Sequence, residues 1–245
     1  MLGPLDYSLW LLTTLLEAAV VVCAIRAKCF FQFLPLNLYM LAAMLTAAAR
    51  YFILHEYGFG STEYFYFYYL TNALLTILLF FALMGLFSHV FSEMGATLYI
   101  RLGASAILGL SAAVSFGIVW HSQDRIFAHS QARSAAYFVS ELLQNLHFVE
   151  AVLAYVLWGA IRKLHETRTR LIQLSLALGV YLSAMAANNA LSALSPNSPV
   201  WRIGSHLMEL WLPIAWGYTF LRVSETARMS PARVVAGQRA VAGSR

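Results

Sequence analysis

The sequence predicts an all-α polytopic membrane protein, built as a bundle of seven transmembrane helices. Of the 245 residues, 60% are hydrophobic and only 11% are charged, whereas an ordinary soluble domain is ~25% charged. The apolar residues also occur in runs of the length that a membrane-spanning helix needs, ~20 residues. The connections between these runs are short, so neighbouring helices are expected to pack antiparallel.

Seven apolar runs are the predicted spans. The first follows Asp6 and has no basic segment before it, which favours a membrane helix over a cleavable signal peptide. Pro35 begins the second span, where its missing N–H costs little, and Pro213 predicts a kink in the seventh. The spans predict a transmembrane domain over 1–222, followed by a short basic tail over 223–245 that we expect to be disordered. They cover roughly 9–25, 37–57, 64–87, 98–120, 136–161, 171–194 and 201–221.

The distribution of Lys and Arg predicts the orientation. Twelve of the 16 basic residues fall on one side of the predicted bundle or in the tail, three fall on the other side, and Arg50 lies within a span. This bias places the N-terminus outside and the C-terminus in the cytoplasm. We therefore expect a multi-pass protein of the bacterial cytoplasmic (inner) membrane. The tail lacks aromatic residues and its charges are sparse, so we expect it to contact anionic lipid and no nucleic acid.

An aromatic run over 64–69 opens the third span. Tyr and Trp favour the membrane–water interface because one part of the side chain is apolar and the other is hydrated. The run is therefore typical of an aromatic belt at the outer face, although the same rings could also hold a ligand.

Polar and ionisable side chains within the spans are the main functional signal. A charged group in hydrocarbon costs at least ~2.5 kcal/mol, so each one needs a partner, a ligand or a role. Gln144, His147 and Glu150 share one stripe of span five with Ser140 by the 3.6-residue period, and such a stripe cannot face lipid. We expect an outward-opening funnel between spans two, three, five, six and seven. The predicted ligand-binding residues are Arg50, Asn72, Glu141, Asn145, His147, Asn188 and His206.

Two His-x-x-Glu pairs each place an imidazole and a carboxylate one helical turn apart. They are His147 with Glu150 and His206 with Glu209, on spans predicted to run in the same direction. Imidazole and carboxylate suit zinc or non-haem iron, and such pairs from two helices can build a metal site in a bundle. The stronger metal motifs are absent, so structural ion pairs, a polar small-molecule site and a proton path also stay open.

Arg50 lies within span two and needs an anion. Glu17, Glu141 and Glu209 are candidate partners for an internal salt bridge. A ligand carboxylate or phosphate is the alternative, since a guanidinium binds both in a bidentate manner.

Known seven-span families with a similar topology differ from this chain at their defining residues. Rhodopsins and G-protein-coupled receptors share the outside N-terminus, but a retinal protein needs a lysine in the last span. The only lysines here are Lys28 and Lys163, so no retinal is expected. The seven-span zinc hydrolases of the ceramidase and adiponectin-receptor type carry His-x-x-x-His in the last span, where this chain has His206-x-x-Glu209.

A closer resemblance extends over most of the chain and depends on loose motifs. The matching positions are 9–12, 33–35, Tyr39, Ser61 with 64–66, Arg133 with Ser134, and the basic loop from Arg162 into Leu171. In these positions the chain resembles an uncharacterised family of seven-span bacterial membrane proteins associated with acidobacterial genomes. The resemblance implies an integral membrane protein without an assigned activity.

These features favour a non-enzymatic function: a sensor-like protein, or one that binds a small polar ligand in an outward-facing cavity. The short tail carries no kinase or cyclase domain, so signalling would need a membrane or cytoplasmic protein partner. One alternative is an intramembrane metal-dependent hydrolase, in which the two His-x-x-Glu pairs hold zinc or iron, the metal activates a water, and Glu141 is a candidate general base. The other alternative is a structural subunit of a larger membrane complex, in which the polar side chains only join helices.

Overall fold

The computed structural model describes residues 4–58, 60–91, 97–121, 131–164, 169–194 and 200–223. Within these ranges the chain forms seven α-helices and no strand, which confirms the predicted all-α class. In chain order the helices are α1 (Pro4–Arg26), α2 (Leu34–Tyr57), α3 (Thr62–Phe91), α4 (Thr97–His121), α5 (Gln131–Lys163), α6 (Thr169–Leu194) and α7 (Val200–Arg222).

Five helices of the described part are long and apolar enough to cross a membrane, which supports the prediction of a transmembrane protein. The qualifying segments are Tyr7–Arg26, Leu34–Tyr57, Thr62–Phe91, Glu141–Lys163 and Thr169–Leu191. The other two helices, α4 and α7, coincide with the predicted fourth and seventh spans. That these two also cross the membrane stays a prediction. The tail beyond Val223 lies outside the described residues.

Six helices form a closed ring, and α4 packs on the outside of it. The contacts run from α1 to α2, from α2 to α3, and from α3 to α5, and then through α6 and α7 back to α1. The fourth helix contacts α3 and α5. The short connections explain most of this order, because a short loop leaves consecutive helices as neighbours. The direct contact of α3 with α5 is what moves α4 out of the ring.

Local signals explain how α2 and α3 begin and end. Pro35 lies in the first turn of α2, as predicted. The helix ends at Tyr57 and is followed by the C-cap residue Gly58, whose φ of 80° is a conformation that glycine adopts without strain. Ser61 then caps α3, since its Oγ accepts a hydrogen bond from the backbone N–H of Tyr64 at 3.1 Å. The last helix remains helical through Pro213, and the predicted kink there stays a prediction.

The hydrophobic core fills one end of the ring. This end brings together the beginnings of α2 and α6 and the later parts of α1, α3, α5 and α7, with Trp216 and Phe33 among its largest buried side chains. Packing is close there: a Cβ added at Gly85 of α3 would lie 3.0 Å from Cγ of Pro35. The same end carries the basic residues of the last helical turns, Arg26, Arg162, Lys163 and Arg222.

Candidate functional site

The opposite end of the ring surrounds a cavity of about 560 Å³. This volume falls within the ~300–1,000 Å³ that is typical of small-molecule sites. All six ring helices contribute to its lining, whereas the described residues of α4 do not. Most of the lining side chains are polar, and Gln144 and Glu209 among them are exposed. The cavity is therefore accessible, and its acidic and basic lining residues are Glu17, Arg50, His147 and Glu209.

Arg50 of α2 is held by neutral groups at the beginning of α3. Its Nε donates a hydrogen bond to Oγ1 of Thr71 at 2.9 Å, and its Nη2 donates one to Oδ1 of Asn72 at 2.7 Å. The backbone carbonyl of Tyr68 accepts a further bond from Nη2 at 3.3 Å. The Cζ atom lies 4.7 Å from the centroid of the Tyr68 ring, which is a cation–π geometry. These contacts fix the guanidinium at the cavity wall.

The expected internal salt bridge of Arg50 is not formed by any carboxylate of the described residues. Within these residues an ion pair joins His147 and Glu150. Glu17 and Glu209, two of the three expected partners, instead line the same cavity and act on Arg50 electrostatically from beyond ion-pair distance. The order of the helices in the ring explains this outcome, because the later part of α2 packs against the beginning of α3. Thr71 and Asn72 of α3 are therefore within hydrogen-bond distance of the guanidinium.

Glu17 of α1 presents a carboxylate that is incompletely satisfied. Its Oε2 is buried and has no hydrogen-bond partner in the described part of the chain. The side chain lies within electrostatic range of both Glu209 and Arg50. Thr13 and Thr14, one turn earlier, also line the cavity, and their hydroxyls donate to the backbone carbonyls of Leu9 and Trp10. Their oxygens therefore keep lone pairs that can accept hydrogen bonds from a ligand.

His147 of α5 faces the cavity and is oriented by a buried carboxylate behind it. Its Nδ1 lies 3.0 Å from Oε2 of Glu150, whose side chain is 0% exposed. This hydrogen bond fixes the ring, and it leaves Nε2 as the ring nitrogen for a ligand. Gln144, one turn before His147, lines the cavity as well. The predicted polar stripe of span five is confirmed for Gln144, His147 and Glu150, while the side chain of Ser140 lies outside the described part.

Two tyrosines separate the cavity from the hydrophobic core. Tyr39 of α2 and Tyr181 of α6 both line the cavity, and their hydroxyl groups lie within electrostatic range of each other. The ring of Tyr39 also contacts Trp216 edge-on, with centroids 6.3 Å apart, and Trp216 belongs to the core. The change from a polar cavity to an apolar core therefore takes place at this pair.

The structure brings together three of the seven residues predicted to bind a ligand. Arg50, Asn72 and His147 line the cavity. Glu141, Asn145 and Asn188 are not among its lining residues, and a Cβ added at Gly204 would lie 2.8 Å from Oδ1 of Asn188, so this amide packs against α7. His206 lies in α7, but its side chain is outside the described part. The assignment of these residues to ligand binding stays a prediction.

The residues predicted to hold a metal occupy different positions around the cavity. Glu209 lines it, whereas Glu150 is buried behind His147. The two helices that carry the His-x-x-Glu pairs, α5 and α7, are separated in the ring by α6. The described side chains contain no group of three His, Cys, Asp or Glu that could hold a metal ion.

The sequence did not lead us to expect that α1 lines the cavity. Glu17 was expected only as a partner for Arg50, and the predicted funnel left out span one. A signal was nevertheless present, because Trp10, Thr13, Thr14 and Glu17 recur at the helical period and so share one face. Tyr39 and Tyr181 carried no comparable signal, since isolated tyrosines in apolar spans are common at interfaces.

Comparison of the chain with family models, with curated proteins and with solved structures finds no match.

Proposed function

We propose that this protein is a non-enzymatic integral membrane protein that binds a small polar ligand in its cavity and serves as a sensor-like component of a bacterial inner membrane. The single observation that carries the proposal is the arrangement of Arg50 and Glu17. Both line one accessible cavity, and neither forms an ion pair within the described residues.

The energetic cost of this arrangement supports a binding role. A charged side chain within a membrane costs at least ~2.5 kcal/mol, and helix packing alone would favour pairing Arg50 with Glu17 directly. The helices instead place the guanidinium of Arg50 and the carboxyl group of Glu17 on the wall of one space of about 560 Å³ without an ion pair between them. A cavity of this size with convergent polar groups is what a small-molecule site requires.

The orientation in this proposal places the cavity on the outer side, with seven spans and the N-terminus outside. The basic ends of α1, α5 and α7 all lie at the core end of the ring, which the positive-inside bias assigns to the cytoplasm. The cavity lies at the other end. A membrane or cytoplasmic protein partner would then bind at the basic side of the bundle and respond to whether the ligand is bound.

Ligand binding is testable on purified protein in lipid nanodiscs. A small-molecule extract of bacterial growth medium should raise the Tm of the wild type and of the control Arg162→Gln, whose exposed side chain is at the core end. It should leave the Tm of Arg50→Gln unchanged, because that variant lacks the fixed cation. Equal shifts in all three proteins, or no shift in the wild type, would contradict the proposal.

The orientation has a separate test. Green fluorescent protein fused after Arg245 should fluoresce and alkaline phosphatase at the same position should be inactive, because the C-terminus is proposed to be cytoplasmic. The opposite pattern would place the cavity on the cytoplasmic side and would overturn the outward-facing part of the proposal.

A further inference from the structure

We propose that the ligand of the cavity is a small zwitterion that carries a carboxylate and an ammonium group, as a free amino acid does. The carboxylate would bind at Arg50, and the ammonium would bind between Glu17 and Glu209. This inference depends on the proposed binding function and specifies its ligand class.

The Arg50 end of the cavity is prepared for an anion. Thr71, Asn72 and the Tyr68 carbonyl take hydrogen bonds from Nε and Nη2, but no described residue accepts one from Nη1. A guanidinium has five N–H donors, so donors remain for a carboxylate. The Oδ1 atom of Asn72 is already used by Arg50, which leaves the Nδ2 amide of Asn72 to donate to the same anion.

The Glu17 end is prepared for a cation. Oε2 of Glu17 is buried without a partner in the described residues, and the carboxylate of Glu209 lies within electrostatic range of it. A cation placed between two neighbouring carboxyl groups favours their ionised forms and offsets the repulsion between them. The hydroxyl oxygens of Thr13 and Thr14 lie on the same wall and can accept further hydrogen bonds from an ammonium group.

A zwitterion is the ligand class that satisfies both ends at once. A simple anion would neutralise Arg50 but would add a negative charge to a cavity that is lined by two acidic side chains. A simple cation would satisfy Glu17 and leave Arg50 without an anion. Because Arg50 and Glu17 form no ion pair within the described residues, opposite charges on different atoms of one small molecule can contact both ends.

The first test needs no variant. Isothermal titration calorimetry on wild-type protein in nanodiscs would be run with the standard L-amino acids. The tightest binder would then be compared with its decarboxylated amine and with its deaminated acid. We expect both analogues to bind at least about tenfold more weakly, because each loses one charged contact. Equal binding of either analogue would overturn the inference.

The second test assigns each charge to its end. Glu17→Gln should weaken binding of the amino acid at least about tenfold and leave binding of the deaminated acid unchanged. Arg50→Gln should weaken binding of the amino acid and leave binding of the amine unchanged. The matched control is Glu56→Gln, on an exposed position of α2 that does not line the cavity. Equal losses for all ligands in both variants would contradict the assignment.

The outcomes also separate this inference from the proposed function. If no amino acid binds but a fraction of the extract still raises the Tm in an Arg50-dependent manner, the assignment of the ligand as a zwitterion is wrong and the cavity remains a binding site. If neither amino acids nor the extract have an effect, both proposals are wrong.

Discussion

Nδ1 of His147 lies 3.0 Å from Oε2 of Glu150, one helical turn further along α5, and Glu150 is completely buried. The imidazole is 12% exposed and faces the cavity. The pair thus joins the cavity wall to the packed interior, and the other oxygen of Glu150 has no partner within the described part.

Removing His147 should destabilise the fold because it leaves a buried carboxyl group with no partner. We expect His147→Ala to lower the free energy of unfolding by about 3 kcal/mol. Adding Glu150→Leu should recover at least about 1 kcal/mol, since an apolar residue of similar size needs no partner. Unfolding in mixed micelles measures both values. The control is Phe148→Ala, whose side chain is 66% exposed. Failure of the second substitution to recover stability would show that the pair is not coupled.

Close packing between α2 and α3 predicts that Gly85→Ala is destabilising. The new Cβ would meet the rigid ring of Pro35 at 3.0 Å, and overpacking of this kind costs about 1–3 kcal/mol. Gly159→Ala in α5 is the matched control, because nothing lies within 4 Å of its Cβ position. The free energy of unfolding of this control should rise by roughly 0.5–1 kcal/mol, because alanine has a higher helix propensity than glycine. Thermal unfolding of both variants checks the difference, and equal stability would contradict the close contact.

Arg170 should be necessary for anchoring the end of α7. Its Nε and Nη2 donate to the carbonyl of Val223 at 3.1 and 2.8 Å, and its Nη1 lies 2.7 Å from Sγ of Cys29. Arg170→Lys should lower the free energy of unfolding by about 1–3 kcal/mol, because a single ammonium cannot reproduce this planar set of contacts. Arg162→Lys, on an exposed position, should stay within about 0.5 kcal/mol of the wild type. Similar unfolding free energies for the two variants would refute the anchoring role.

Metal analysis tests the hydrolase alternative. We expect purified protein to contain zinc and iron well below one atom per chain, because α6 separates the two helices that carry the His-x-x-Glu pairs and the described side chains contain no group of three His, Cys, Asp or Glu. Elemental mass spectrometry of protein prepared without chelator gives the value, with His147→Ala as the comparison. Stoichiometric metal that is lost in His147→Ala would support the hydrolase.

Much of the site could be predicted at the level of single helices. The 3.6-residue period was sufficient to place Gln144, His147 and Glu150 on one face of α5, since periodicity describes neighbours along one helix. It could not identify the partner of Arg50. Three acidic residues had the charge to pair with Arg50. Thr71 and Asn72 hold its guanidinium instead, because α2 and α3 are in contact at the level of Arg50.

The sequence by itself determined the helical class and the polar faces, because apolar length and helical period are local properties of the chain. It also determined where α2 begins, through Pro35. Only the tertiary structure decided that α1 completes the ring, that α4 stays outside it, and that Glu17 faces the cavity with Arg50. These outcomes depend on which helices pack together, and that choice is made by side-chain fit across the bundle, as at Gly85 and Pro35.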